Sequence, residues 1–359
     1  MNKNIWLIGA GQMAVDYHKV LDDLEVPFTV VGRGKSSAKL FFNKTGFKPF
    51  LGGLKAFLLG NPNPCSHAIV AVGVEKLAET TSQLLEYGIK NILVEKPAGL
   101  NIKEIETVAN LTKDKNASVY VAYNRRFYAS VLKAKKIIAE DDGVTSFNFE
   151  FTEWSHEIEK LEKAPGVKEN WFLANSTHVV DLAFYLGGKP KEISSYVSGE
   201  LDWHPSASIF SGAGISESGA LFSYQANWES AGRWNVEMLT KETRLILRPM
   251  EKLQIQKRGS IEVKPVKNID YTLDEMYKPG LYKQINAFLT DNIIQLFELG
   301  ADDYVTKPYN AVILQSKINS CLEKRIRRQR EDDLNLRLNE KQNLIDSLHN
   351  RIYPKIIQK

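Results

Sequence analysis

Three groups of residues in this 359-residue chain have the types and spacing to do chemistry. The first is Gly9-Ala10-Gly11-Gln12-Met13-Ala14, a Gly-x-Gly-x-x-Ala turn. Its first glycine permits a tight turn, Gly11 lets a pyrophosphate approach the backbone, and Ala14 keeps the following helix close to the sheet. A helix starting there offers free N–H groups and a positive dipole end to phosphates. The second group is Gly32-Arg33-Gly34-Lys35-Ser36-Ser37. An NAD-binding fold usually places an acid here for the ribose hydroxyls. Two cations and two hydroxyls suit a 2′-phosphate better, so NADP is expected in preference to NAD. The competing reading is a solvated basic loop. The third group is Glu95-Lys96-Pro97, which sets a lysine at a strand end.

The elements that would position these groups follow from hydrophobic periodicity. Ile5–Ile8 reads as a strand, and Met13, Tyr17, Val20, Leu21 and Leu24 recur at helical spacing after it. Phe28–Val31 is a second strand and Ala68–Val72 a third, running through Gly73-Val74 into a helix over about Glu75–Tyr87 that Gly88 stops. The apolar run from Ile92 into Glu95-Lys96-Pro97 places Lys96 at the carboxyl edge of a parallel sheet, where such folds bind ligands. Val119–Ala122 is one more strand, leading into Tyr123-Asn124-Arg125-Arg126-Phe127. Beyond it, helices are expected over about Ser130–Ala139 and Ser176–Leu186. Strands are expected at Thr145–Glu153, Glu192–Gly199, Gly219–Trp228, Arg233–Met238, Thr243–Leu247, Leu253–Lys257 and Ile261–Lys264. Several of these alternate apolar and polar residues, as a sheet with one wet face would.

In order and separation, Gly9–Ala14, Glu95-Lys96-Pro97, Tyr123–Phe127 and Ser176-Thr177-His178-Val179-Val180-Asp181 resemble the Gfo/Idh/MocA oxidoreductases, from residue 1 to about Leu289. The resemblance implies an α/β fold class. It would have an N-terminal Rossmann dinucleotide-binding domain (1–122) and a substrate and oligomerisation α/β domain (123–290) built on a large, mostly antiparallel open sheet. It implies hydride transfer between a nicotinamide and a sugar, nucleotide-sugar or polyol, with a homo-oligomer formed through the open sheet or the chain's helical tail. Lys96 then takes the proton-transfer role, its pKa lowered by burial, and His178 relays the proton or orients substrate. Gly9, Gly11, Gln12, Met13, Arg33, Ser36, Ser37, Val72, Glu95, Lys96 and Asn124 form the expected cofactor set. For Lys96 and His178 the alternatives are a strand-capping lysine and a hydrogen-bonded core histidine; for Asn124 and Arg125, a loop bonded to itself. Many members of the family carry an aspartate four residues before this histidine, where this chain has Ala174. Neither Asn170 nor Asn175 can take a proton in its place, and Asp181, one turn on, is a candidate to orient His178. The departure favours an alternative function, a non-catalytic NADP-binding sensor or scaffold. Trp154, His156, Trp171, Trp203 and His204 could line a sugar pocket, although each is better explained by packing.

After Leu289 the pattern changes. Ala301-Asp302-Asp303-Tyr304-Val305-Thr306-Lys307-Pro308-Tyr309 and a helix from about Val312 resemble the last third of a response-regulator receiver domain, over 291–330. That resemblance would put a phosphoryl-contacting lysine at Lys307, but a receiver's acceptor aspartate lies in earlier strands that have no counterpart here, so no phosphorylation is expected. Over 331–359, Leu334, Leu338, Lys341, Ile345, Leu348 and Ile352 repeat at alternating spacings of four and three. They form either a short coiled-coil seam or one face of a lone amphipathic helix. The helical C-terminal extension therefore reads as a truncated receiver-like fragment plus a tail.

Composition sets the outer bounds. Hydrophobic residues are 43% and charged residues 25%, which excludes collagen-like, disulfide-scaffold and mostly disordered classes. No apolar run reaches the roughly 18 residues of a membrane span, and the first one enters a glycine turn rather than a cleavage site. Two cysteines, Cys65 and Cys321, match no disulfide or zinc spacing, so a cytoplasmic protein is expected. The histidines show no metal-ligand spacing, and no metal is expected. Of the net charge of +4, roughly +4 lies after Ser320, interleaved with acids. That is a solvated helix face rather than a nucleic-acid surface.

Overall fold

The computed structural model describes residues 4–290 and, beyond them, 314–320 and single positions or pairs up to 342. Lys307, Pro308 and most of the receiver-like fragment lie outside the described residues, as do Ile345, Leu348 and Ile352.

The first half alternates strands with helices: β1 (Ile5–Ile8), α1 (Gln12–Asp23), β2 (Phe28–Gly32), α2 (Lys35–Thr45), β3 (Phe50–Leu51), α3 (Gly53–Leu59), β4 (His67–Val70), α4 (Leu77–Tyr87), β5 (Asn91–Glu95), α5 (Ile102–Asp114) and β6 (Ser118–Ala122). The six strands form one parallel sheet in the order β3-β2-β1-β4-β5-β6. Helices cover both faces, so β1 and β4 are buried along their whole length. The strand order reverses at β1, between β2 and β4. That reversal opens the crevice at the carboxyl edge where such sheets bind ligands. Short β3 pairs only Val31 with Phe50 and Gly32 with Leu51. It carries no sequence signal of its own, and it makes the Ala68–Val72 run the fourth strand rather than the third.

Two helices and a strand follow, α6 (Ala129–Glu140), β7 (Ser146–Glu150) and α7 (Ser155–Ile158), and a π-turn over Phe172–Ser176 leads into α8 (Thr177–Gly187). Then come β8 (Pro190–Ser198), β9 (Ile209–Ser216), β10 (Leu221–Asn227), β11 (Asn235–Leu239), β12 (Thr243–Leu247), β13 (Gln254–Lys257) and β14 (Val263–Pro265), with α9 (Thr272–Met276) and α10 (Leu281–Leu289). The eight strands β7–β14 form a second sheet, ordered β14-β13-β12-β11-β7-β10-β9-β8, in which only β7 and β10 run parallel. Helix α8 packs on β7 and β11. Phe147, Phe149 and Phe184 make edge contacts there, and Phe149 stacks on Tyr224.

Strand β9 was not expected from Ile209-Phe-Ser-Gly-Ala-Gly-Ile-Ser, because two glycines normally interrupt a strand. Here they make room for neighbouring rings. A Cβ at Gly212 would lie 2.3 Å from the Tyr224 ring, and one at Gly214 would lie 2.6 Å from the Phe222 ring.

Helix α10 returns to the first sheet. Its Leu281, Ile285 and Phe288 join a core with Ile5, Leu7 and Tyr17. A helical stretch over 314–320 buries Leu314 and Ile318 in the main core, so this part of the C-terminal segment does cover apolar surface. Leu334 and Leu338 of the heptad pattern remain exposed. No helix among the described residues is long and apolar enough to cross a membrane.

Candidate active site

At the end of β1, Gly9 has φ +132°, and a Cβ there would sit 2.1 Å from the Ala71 carbonyl oxygen. Only glycine fits that position. Gly11 caps α1 without a side-chain partner, and a Cβ there would meet nothing within 4 Å. The first N–H groups of α1 therefore open onto free space, and the turn fits a dinucleotide pyrophosphate. Beside it lies a cavity of about 360 Å³ whose lining includes Gly9, Arg33, Ser37, Val72 and Gly73. Arg33 and Ser37 thus line the cavity next to the glycine turn. Ser36 is exposed on the first turn of α2 and does not line this cavity. Gln12 and Met13 are held by other groups: Gln12 bonds Asp16 and Lys44, and Lys278 Nζ donates to Met13 Sδ at 2.6 Å. Asn124 is buried, and its side-chain amide donates to the Pro279 carbonyl at 2.9 Å.

Lys96 stands at the carboxyl end of β5, and its Nζ donates to the Ala174 carbonyl at 2.6 Å. At the position of Ala174, which has no side-chain oxygen, the backbone of the π-turn supplies an acceptor to the lysine. Burial lowers the Lys96 pKa to about 8; the Glu95 charge opposes this and Arg125 reinforces it. Glu95 accepts from the Tyr17 hydroxyl at 2.8 Å. Its pKa is raised, chiefly by burial, and the Tyr17 bond partly offsets the rise.

His178 faces Lys96 electrostatically and is only 8% exposed. Its ring lies edge-on to Tyr123 at 5.9 Å and tilted to Trp234 at 6.1 Å, and its Nδ1 has no hydrogen-bond partner among the described residues. Burial, reinforced by the charges of Arg125, Lys96 and Lys278, pushes its pKa well below the ordinary value. The near-neutral titration expected of a free imidazole is therefore lost, and at pH 7 the ring is neutral. Asp181, the candidate to orient His178, binds Arg126. Its two oxygens take Arg126 Nε at 2.8 Å and Nη2 at 2.5 Å, tying α8 to the turn after β6.

Sequence reasoning missed Glu153. It lies just past β7, 1% exposed, and accepts from Asn175 Nδ2 at 2.9 Å, Ser176 Oγ at 2.8 Å and Arg233 Nη1 at 3.1 Å. Burial raises its pKa, and its charge acts on Lys96. The available signal was an acid closing an aromatic strand, Phe149-Glu-Phe-Thr-Glu153. Of the candidate sugar-stacking residues, Trp171, Trp203 and His204 pack together with Trp228. His156 pairs with Glu157 at the surface. Trp154, half exposed, lies over Arg233.

Comparisons with known proteins agree with this layout. Residues 3–123 match the model of an oxidoreductase family with an NAD-binding Rossmann fold. A curated relative, the scyllo-inositol 2-dehydrogenase (NADP(+)) IolW of Bacillus subtilis (strain 168), is 23% identical over 127 residues. The match covers 34% of this chain and only 35% of that relative. Among solved structures, a levoglucosan dehydrogenase in complex with NADH and levoglucosan superposes with a TM-score of 0.70 at 20% identity, over 90% of this chain and 98% of that one. The WlbA dehydrogenase of Bordetella pertussis, in complex with NADH and UDP-GlcNAcA, gives a TM-score of 0.63 at 13% identity, over 90% and 96%. These likenesses establish the two-domain fold.

Proposed function

We propose that the chain, whose residues 3–123 match the Gfo/Idh/MocA oxidoreductase family model, is a nicotinamide-dependent dehydrogenase or reductase acting on the hydroxyl or carbonyl of a sugar, nucleotide-sugar or polyol. The observation that carries this reading is Lys96: an amine at the sheet's carboxyl edge, fixed by the Ala174 carbonyl, with a pKa of about 8. A bound nicotinamide supplies the hydride acceptor or donor. Lys96 takes the hydroxyl proton during oxidation and returns it during reduction. Neutral His178, with Nδ1 unpartnered, orients the substrate oxygen rather than donating a proton at pH 7. In this reading residues 1–122 hold the dinucleotide and 123–290 the substrate.

The pH dependence follows with its sign. Oxidation needs the free amine, so its rate rises about tenfold per pH unit below the Lys96 pKa and levels off above about 8. Reduction needs the ammonium and falls above the same point. Initial rates between pH 6 and pH 10 in both directions check this. Profiles that do not bend near 8 remove Lys96 from proton transfer.

The cofactor is NADP in preference to NAD, supported by Arg33 and Ser37 at the cavity beside the glycine turn. Replacing Arg33 with Ala should weaken NADPH binding about 10- to 100-fold, since a charge-assisted hydrogen bond is lost, and leave NADH within a few-fold. Calorimetric titration of the variant with each cofactor decides it; equal losses for both assign Arg33 to the fold.

A homo-oligomer through the open sheet is supported by its outer face, where Tyr196 and Leu221 stand exposed. A receiver-like origin for 291–330 and a cytoplasmic location rest on the sequence. The second reading, a non-catalytic NADP-binding sensor or scaffold, is favoured by Ala174. Hydride transfer to any member of a sugar panel discards it.

A further inference from the structure

Next to Lys96, on the neighbouring strand end, Arg125 sits in the 3-10 turn Asn124–Phe127 that follows β6. Its guanidinium makes no hydrogen bond or ion pair among the described residues, and its Nε is buried without a partner. Glu251 and Glu153 act on it electrostatically but form no ion pair with it. Two aromatic faces hold it in place, Trp234 at 4.8 Å and Tyr128 at 5.9 Å from the guanidinium carbon.

Arg125 is the inner end of a ladder. Trp154, half exposed, lies 4.7 Å from the guanidinium of Arg233. Arg233 lies 4.5 Å from the ring of Trp234, whose ring in turn holds Arg125. Stacking on ring faces leaves the N–H edges of a guanidinium free for planar, two-pronged recognition. The two arginines are not equivalent. Arg233 is neutralised by Glu153 at 3.1 Å, whereas Arg125 has no counter-ion among the described residues. The indole Nε1 of Trp234 is likewise buried and without a partner. A guanidinium and an indole N–H can only donate. Buried donors left unpaired are costly, and native structures normally satisfy them. Two such groups in contact, beside Lys96 and His178, call for a ligand that brings acceptor oxygens and negative charge.

We propose that the substrate of this site is acidic, and that its carboxylate or phosphate group is taken by Arg125 and the Trp234 N–H. The inference deepens the dehydrogenase reading and rests on it for the identity of the cleft. It narrows the substrate from sugars in general to acidic sugars: a uronate and a sugar phosphate share the recognising chemistry.

The test uses the full chain saturated with NADP⁺. Glucuronate, glucose 6-phosphate and glucose are titrated separately by calorimetry, and hydride transfer is followed at the nicotinamide absorbance in the same samples. At least one acidic probe should bind about 10- to 100-fold tighter than glucose, the range expected of a charge-assisted pair. Which one does so separates carboxylate from phosphate recognition. Arg125→Met should abolish that margin, Arg125→Lys should restore part of it, and NADP⁺ binding should stay within about twofold in both. Glucose binding as tightly as both acids, binding by none of the probes, or an acid preference that survives in Arg125→Met each overturns the proposal. So does loss of cofactor affinity in the variants, which would assign Arg125 to the dinucleotide. Acid binding without any hydride transfer leaves the anion site standing and overturns the dehydrogenase reading. Turnover of glucose with no preference for either acid does the reverse.

Discussion

Replacing Lys96 with Met should lower kcat about 10²- to 10⁴-fold, the usual contribution of a positioned acid or base, while cofactor binding stays essentially intact. Methionine keeps the length and packing of the side chain and removes only the proton-carrying nitrogen. The Ala174 carbonyl loses its donor, a local cost confined to the π-turn. Lys96→Arg should fail nearly as badly, because a guanidinium keeps the positive charge but cannot give up a proton near neutral pH. The pair of variants therefore separates charge from proton transfer. Steady-state rates on an accepted substrate, with cofactor titrations alongside, provide the measurement. If Lys96→Met keeps more than about a tenth of the wild-type kcat, the lysine is a structural cap on β5 and proton transfer lies elsewhere.

The largest effect on stability should come from Asp181. Its carboxylate is 1% exposed and grips Arg126 through two short bonds, while the Arg126 guanidinium also lies 4.9 Å over Tyr185. Breaking a buried ion pair by removing one member typically costs about 3–5 kcal/mol. For Asp181→Ala that corresponds to a fall in melting temperature of roughly 5–15 °C. Activity at low temperature should survive better than stability, because the pair acts on the seating of α8 rather than on the reacting atoms. A double variant, Asp181→Ala with Arg126→Met, should recover part of the loss. A single variant that melts within about 2 °C of wild type would show that the pair contributes little.

Much of the first sheet was readable in the sequence, because its central parallel strands are buried on both faces and appear as short apolar runs. Ile5–Ile8, Phe28–Val31, the run from Ile92 and Val119–Ala122 fall where β1, β2, β5 and β6 lie, with ends moved by a residue or so. β3 was not readable, because two residues carry no periodicity. β9 was hidden by Gly212 and Gly214, whose purpose shows only once the Tyr224 and Phe222 rings are placed against them. The glycine turn and Lys96 could be placed because their chemistry is local to one strand end. Glu153 could not, since its meeting with Asn175, Ser176 and Arg233 joins three separate segments through the second sheet. His178 was located correctly on its helix, but its protonation state depends on burial and on the charges of Arg125, Lys96 and Lys278, which no local pattern reveals. Asp181 lay one turn from His178 in sequence, yet its carboxylate is taken up by Arg126 from the turn after β6.

Ala174 stands where many members of the family this chain resembles carry an aspartate. Ala174 has no side-chain oxygen, yet its carbonyl holds Lys96, and a buried acid, Glu153, enters from β7 to bear on the same lysine. A low-dielectric setting strengthens these effects and brings a lysine pKa into the working range. In this chain the lysine's anchor is backbone, and the nearby carboxylate is delivered by a different element.

The central claim is that the first domain binds a nicotinamide dinucleotide and prefers NADP. Calorimetric titration of the purified full chain with NADPH and, separately, NADH tests it most directly. The account predicts saturable NADPH binding and NADH binding weaker by about tenfold or more, the margin of a charge-assisted contact to the 2′-phosphate. No binding of either cofactor would contradict it, and the roles given to Lys96, His178 and Arg125 would fall with it.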